Sequence, residues 1–226
     1  MVASPITERL PAAKQREQLI GNIKVTRQDW LDAAMDVLIE HGASQVKIMT
    51  LGERLGVSRS SFYWYFKDRR DLLDALLEYW EKTNTAVLVR HCEMPAASIT
   101  ESICNIFRCF INPHLFNSHL DFAVRDWARR NQDVREALDR SERTRLGAIE
   151  KLFLGHGYPA TEALTRARTL YYMQIGYYAA DLKETYEQRN ALTADYVLGF
   201  TGKSPSQQEL DALTAYVRSL DQEETS

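Results

Sequence analysis

The chain has 226 residues, 45% hydrophobic and 26% charged, with a formal net charge of −3. That is enough apolar material for one large domain, or for a small one beside a larger one. No run approaches the apolar length of a membrane span, and Met1 to Lys24 lacks the apolar core of a secretory signal, so a soluble, cytoplasmic protein is expected.

The charge is unevenly placed. Residues 1–70 hold 11 Lys/Arg against 8 Asp/Glu, and 47–70 alone hold 6 against 2, so the acidic excess falls on the remainder. A basic module on an acidic body is the electrostatic footprint of a DNA-binding unit attached to one that does not bind DNA.

Residues 1–24 carry Pro5, Pro11 and scattered Arg9, Lys14, Arg16 and Lys24, and read as a flexible basic arm, either a plain tail or one that tracks phosphates. Thr26 is placed to cap a first helix, with Asp29 at its third position. Trp30, Ala33, Ala34, Val37 and Leu38 recur at helical spacing, and His41-Gly42 ends the run. A second helix is predicted over Ile48 to Leu55, stopped by Gly56 in the left-handed conformation that glycine alone adopts without penalty. Ser58 is placed to cap a third helix over about Arg59 to Tyr65.

On this third helix Phe62, Tyr65 and Phe66 share one face, while Ser60, Tyr63 and Trp64 point the other way, beside Arg59 and Ser61. A helix-turn-helix needs this division, one face fixed to its domain and the other entering the major groove. Two adjacent exposed aromatics are costly unless they meet something, and arginine, hydroxyl and ring groups suit phosphates, base edges and thymine methyls. Asp68 caps a fourth helix striped by Leu72, Leu73, Leu76, Leu77 and Trp80 and continuing toward Val89.

From Pro95 onward every long segment has helical period and none alternates like a strand, so the fold class is all-α. Ile99 to Phe110, Leu120 to Trp127, Val134 to Phe153, 160–185 and a shorter piece near 188–199 are the predicted helices. Ser204 as cap, Pro205 and Gln207 open the last one, striped by Leu210, Leu213, Val217 and Leu220.

The run Leu170 to Ala180 is apolar all the way round and needs cover on both sides. Leu164, Tyr171, Ile175, Tyr178 and Leu182 fall at three- and four-residue steps, and Gly176, Ala179 and Ala180 admit a second backbone; the segment reads as a dimer interface, against the alternative of a monomer's central helix. Phe107, Phe110, Phe122, Trp127 and Tyr172 are candidates to line an effector pocket, although for any single aromatic ordinary packing is the commoner role. Cys92, Cys104 and Cys109 have neither disulfide-framework nor zinc spacing, His114 and His119 are no metal pair, and no catalytic or phosphate-loop signature occurs. No metal, cofactor or enzymatic activity is expected.

The segments Leu51 to Ser58, Ser61 to Phe66 and Lys67 to Leu73 together resemble the TetR (tetracycline repressor-like) family of transcriptional regulators, over about residues 25 to 77. Lys47 stands where that family tends to have a capping Thr or Ser, and Gly52 where it usually has Ala. The resemblance implies a three-helix reader at 25–75 and a helical effector and dimerisation domain at 76–226. It also implies phosphate contacts from Tyr63 and Arg69, with Lys47 and Met49 near the DNA backbone; Lys67 is a further DNA-binding candidate, against the alternative of a solvated charge. Dimers of the family pack through two C-terminal helices, which adds Leu213 and Val217 to the expected interface. The expected protein is a ligand-modulated repressor that binds an inverted-repeat operator as a homodimer, its effector a small hydrophobic or amphipathic molecule. Two alternatives are a thiol-based redox-sensing regulator and a helical small-molecule-binding protein without DNA function.

Overall fold

The computed structural model describes residues 25–223, and every regular element among them is helical. The basic arm expected over 1–24 lies outside the described residues. The chain divides into two compact units between Leu76 and Leu77.

The first unit contains α1 (Arg27–His41), a short 3-10 turn (Ala43–Gln45), α2 (Ile48–Leu55), α3 (Arg59–Phe62) and the start of α4 (Arg69–Trp80). Thr26 and Asp29 form a reciprocal capping box at the head of α1, and Gly42 turns the chain out of it at φ 78°. Trp30, Ala33, Ala34, Val37 and Leu38 are all buried, as the stripe predicts. Trp30 meets Phe62 edge-on at 5.2 Å, and Phe62 stacks on Phe66 at 5.4 Å, so the aromatics of α3 and its following turn hold it to α1. Asp68 accepts from Asp71 N at 2.9 Å and caps α4.

The chain enters the second unit within α4, and a wider π turn (Glu81–Thr85) leads into α5 (Ala86–Cys92). There follow α6 (Ile99–Ile111), α7 (Ser118–Ala128), α8 (Gln132–Gly155), α9 (Ala160–Ala179), α10 (Tyr186–Thr201) and α11 (Gln207–Glu223). The most buried of these is α6, whose Ile99, Ile103, Ile106 and Phe110 share one core with Phe116, Phe153, Leu170 and Tyr171. The last helix starts later than predicted. Ser206 and Glu209 cap it by paired backbone bonds of 3.3 and 2.6 Å, in place of Ser204 and Gln207.

Candidate functional site

In the reader the corner between α2 and α3 is built by backbone. Gly56 lies at φ 68°, ψ 28°, and Val57 N donates to Gly52 O at 2.9 Å. A Cβ on Gly52 would stand 3.1 Å from Val57 O, so the glycine admits a close approach that the propensity argument alone does not register. Arg54 reaches both carboxylate oxygens of Glu40 (3.2 and 3.3 Å) and Asp36 (3.5 Å), tying α2 to α1. Bonding to Arg54 holds the Glu40 carboxyl below the usual range.

Two expectations about α3 are corrected. Its α-helical part is the single turn Arg59–Phe62, and Tyr63, Trp64 and Tyr65 come after it in tighter turns, with Trp64 N on Ser61 O and Tyr65 N on Phe62 O. The hydroxyl of Ser58 makes no cap bond and lies 2.7 Å from the Ser60 hydroxyl, leaving this short helix without the terminal support assumed for it. The outward set survives the change. Trp64 is 84% exposed and Tyr63 53%, and Lys47, Met49, Arg59, Ser60 and Lys67 also stand at the surface, with Ser61 half-buried. Tyr65 turns inward, its hydroxyl donating to Val25 O at 2.7 Å.

Arg69 does more than the resemblance implies. Its guanidinium donates to the carbonyls of Val46 (2.6 Å, through Nε) and Ala43 (through Nη2), and the residue is half-buried. It clasps the 3-10 turn to the head of α4, a supporting role beside the phosphate contact that the resemblance implies. Sequence reasoning misses the clasp because the carbonyls it serves lie more than twenty residues upstream.

In the second unit the neighbouring tyrosines have the burial opposite to that expected of them. Tyr171, assigned to an interface, is fully buried, and its hydroxyl accepts from Arg125 Nη2 at 3.0 Å and Arg145 Nη1 at 3.4 Å. Tyr172, assigned to a pocket, is exposed under Arg168, whose guanidinium lies 5.3 Å from its ring. A helix apolar on all sides gives no period by which to tell its two faces apart. Leu213 and Val217 are likewise buried in their own unit, and Ile175 and Tyr178 pack against its core, with Tyr178 donating to Phe110 O at 2.7 Å. Of the expected interface, Leu164, Gly176, Ala179 and Leu182 remain exposed. Leu164 and Gly176 share the outer stripe of α9 with Arg168 and Tyr172, and Leu192, Tyr196 and Leu198 are exposed on α10. Of the expected pocket residues, Phe110 is buried, and Phe107, Phe122 and Trp127 are half-buried.

This core also holds a polar network that no spacing in the chain announces. Asp121 and Arg145 are both fully buried and bonded at 2.8 Å. Trp80 Nε1 and Arg125 Nε also donate to Asp121, each at 2.9 Å, and Arg125 Nη1 reaches Glu142 at 2.6 Å. Burial pushes the Asp121 carboxyl up, but the guanidinium groups of Arg145 and Arg125 outweigh it and hold the group below the usual carboxylate range. The signal available is Arg125 four residues after Asp121, which reads as an ordinary surface pair.

All three cysteines are buried. Desolvation pushes the Cys92 and Cys109 thiols up to about 12 and Cys104 up to about 11, which keeps them protonated and poorly nucleophilic.

Residues 31–76 match the family described as bacterial regulatory proteins, tetR family. The tetracycline repressor protein class A from transposon 1721 of Escherichia coli is 30% identical over 149 residues, which is 64% of this chain and 61% of that repressor. The chain thus spans about six-tenths of that relative's length. In fold it is similar to the fatty acid degradation regulator FadR from Bacillus halodurans, with a TM-score of 0.57, 18% identity, and coverage of 78% of this chain and 94% of that one. FadR from Bacillus subtilis, solved in complex with stearoyl-CoA, gives 0.54 at 18% identity, covering 80% and 100%.

Proposed function

We propose that this chain, whose residues 31–76 match the tetR family of bacterial regulatory proteins, is a cytoplasmic repressor. In this reading it binds an inverted-repeat operator as a homodimer and is released by a small hydrophobic or amphipathic molecule held in residues 77–223. The observation that carries the reading is the exposed set on both sides of the Gly56 corner, Lys47 and Met49 at the head of α2 and Arg59, Tyr63, Trp64 and Lys67 after the corner. Large apolar side chains among cations, at the position where a helix-turn-helix meets the groove, suit thymine methyls flanked by phosphates.

The outer stripe of α9 and the exposed leucines of α10 support the dimer, since two readers are needed for two half-sites. Nothing lies within 4 Å of a Cβ placed on Gly176, so Gly176→Leu leaves the monomer's packing alone and tests the association itself. Sedimentation is expected to give a dimer for the wild type and a weakened one for the variant; a monomeric wild type would end this part of the reading.

Operator selection from random DNA, followed by binding assays at several salt concentrations, tests the reader. An inverted repeat with a steep salt dependence is expected. A thermal-shift screen of metabolites and antibiotics, followed by the DNA assay, tests the effector: a true one raises the melting temperature and lowers operator affinity together. The stearoyl-CoA complex of the Bacillus subtilis protein is a ligand of the amphipathic kind held by a similar fold. The thiol-sensing alternative is disfavoured by the burial of all three cysteines.

A further inference from the structure

Between Val46 and Lys67, the stretch holding α2, the Gly56 corner and α3, there is no Asn and no Gln. Those are the side chains that bond adenine bidentately at N6 and N7, so an A·T pair has to be recognised here by other means. The other hydrogen-bonding groups of the stretch are largely engaged. Glu53 is its one carboxylate, Arg54 is held by Glu40 and Asp36, and the hydroxyls of Ser58 and Ser60 bond each other at 2.7 Å. Arg59 is exposed and suits a guanine, whose O6 and N7 it can take bidentately.

What the surface offers to A·T pairs is apolar. Trp64 is the most exposed large hydrophobic side chain among the described residues. Its place in the chain is held from three directions. Trp64 N donates to Ser61 O at 3.4 Å, the Tyr63 ring meets Phe62 edge-on at 5.4 Å, and the Tyr65 hydroxyl donates to Val25 O at 2.7 Å. Phe62 is itself fully buried against Trp30. The indole therefore projects from a fixed base with two side-chain torsions free, a rigid contact surface at small entropic cost. In the major groove the apolar group on a base edge is the C5-methyl of thymine.

We propose that Trp64 is the residue by which this protein recognises A·T pairs, its indole meeting the C5-methyl group of thymine, and that 5-methylcytosine is read in thymine's place. The proposal rests on the operator reading above and deepens it. A methyl contact is blind to the hydrogen-bonding groups beside it, and 5-methylcytosine carries the same group at the same ring position. The rival contact is polar: the indole Nε1–H donating to thymine O4, which uracil keeps and 5-methylcytosine lacks.

The test uses the full chain and the operator selected from random DNA. Each thymine of a half-site is replaced by uracil together with its symmetry mate, and each T·A pair is then replaced by C·G and by 5-methylcytosine·G. At the contacted position uracil is expected to weaken binding about fourfold per half-site, the burial of one methyl group, and about fifteenfold for the symmetric pair. Exchange to C·G should weaken binding at least as much, and methylating that cytosine should recover about the same factor. In Trp64→Ala the thymine and uracil operators should bind alike at this position, while Trp64→Phe, which keeps a ring there, should retain part of the preference. The wild-type comparison of bases needs no variant. Uracil accepted at every position within about twofold, methylation of the cytosine without effect, or a thymine preference that persists in Trp64→Ala overturns the proposal. Selection that yields no preferred sequence removes the operator reading and this proposal with it. A selected operator that is indifferent to uracil removes this proposal alone.

Discussion

In the first unit no charged side chain among the described residues is fully buried, and most stand at the surface. Arg54 pairs with Glu40 and Asp36 in solvent, and large apolar groups such as Trp64 are left uncovered. In the second unit the arrangement is reversed. Every buried polar or charged residue among those described, from Asn84 to Thr201, belongs to it, and Asp121 and Arg145 face each other with no access to water. A surface that keeps its polar and apolar groups outward is built to meet something large. A core that bears the desolvation cost of an ion pair is built to hold a particular arrangement, or something small.

The largest expected effect tests the core. Asp121→Ala removes the acceptor shared by Arg145, Arg125 and Trp80 and strands a buried cation, which should cost about 3–5 kcal/mol in denaturant unfolding. A loss under about 1 kcal/mol would mean that water reaches Arg145 and that the contrast between the units is overdrawn. Next comes Arg69→Ala in the first unit, where two charge-assisted bonds to backbone carbonyls are lost; about 2 kcal/mol is expected by the same measurement. No change would mean that the clasp adds nothing to stability.

The exposed set should behave oppositely. Trp64→Ala and Arg59→Ala should leave stability within about 0.5 kcal/mol of the wild type and weaken operator binding. For Arg59→Ala the slope of log K against log salt should drop by about 0.9, one phosphate contact. Unchanged affinity in both would separate this face from DNA.

The thiols give a pH test. Their pKa values are raised on folding from 9.0 to about 12 for Cys92 and Cys109 and about 11 for Cys104, so the folded state disfavours the thiolate. Their contribution to stability is fully present below about 9 and is lost as pH rises toward 11 to 12, where the unfolded chain ionises first. Alkylation by iodoacetamide at about pH 8 should therefore wait on unfolding, and rapid native-state labelling would revive the redox reading. The smallest effect is expected from Arg54→Ala, an exposed clasp whose loss should be hard to detect by melting.

The reader is legible in sequence because its logic is local. Thr26 with Asp29, Gly56, and the burial of Phe62 against the exposure of Trp64 all come from spacing within a few residues. Arg69 and Ser58 escape that logic, the first because its deciding partners are distant, the second because the short α3 ends after one turn. In the second unit hydrophobic period locates the helices but cannot orient α9, which is why Tyr171 is buried and Tyr172 exposed against expectation. Arg145 draws no notice, because a single arginine in a charged helix looks solvated until the fold surrounds it.

The π turn at Glu81–Thr85 has a consequence for phase. Trp80, Asn84, Leu88 and Cys92 are all buried, at a constant step of four. In an unbroken α-helix three such steps would wind the buried line about 120° around the axis, at roughly 100° per residue. If one residue of the wide turn is left out of the count, the steps become three, four and four, and the line drifts only about 20°, an ordinary α-helical face. The turn therefore houses one surplus residue, with the rods on either side in step. Shortening the chain by the exposed Lys82 should keep Trp80 in line with Asn84, Leu88 and Cys92 in a plain α-helix.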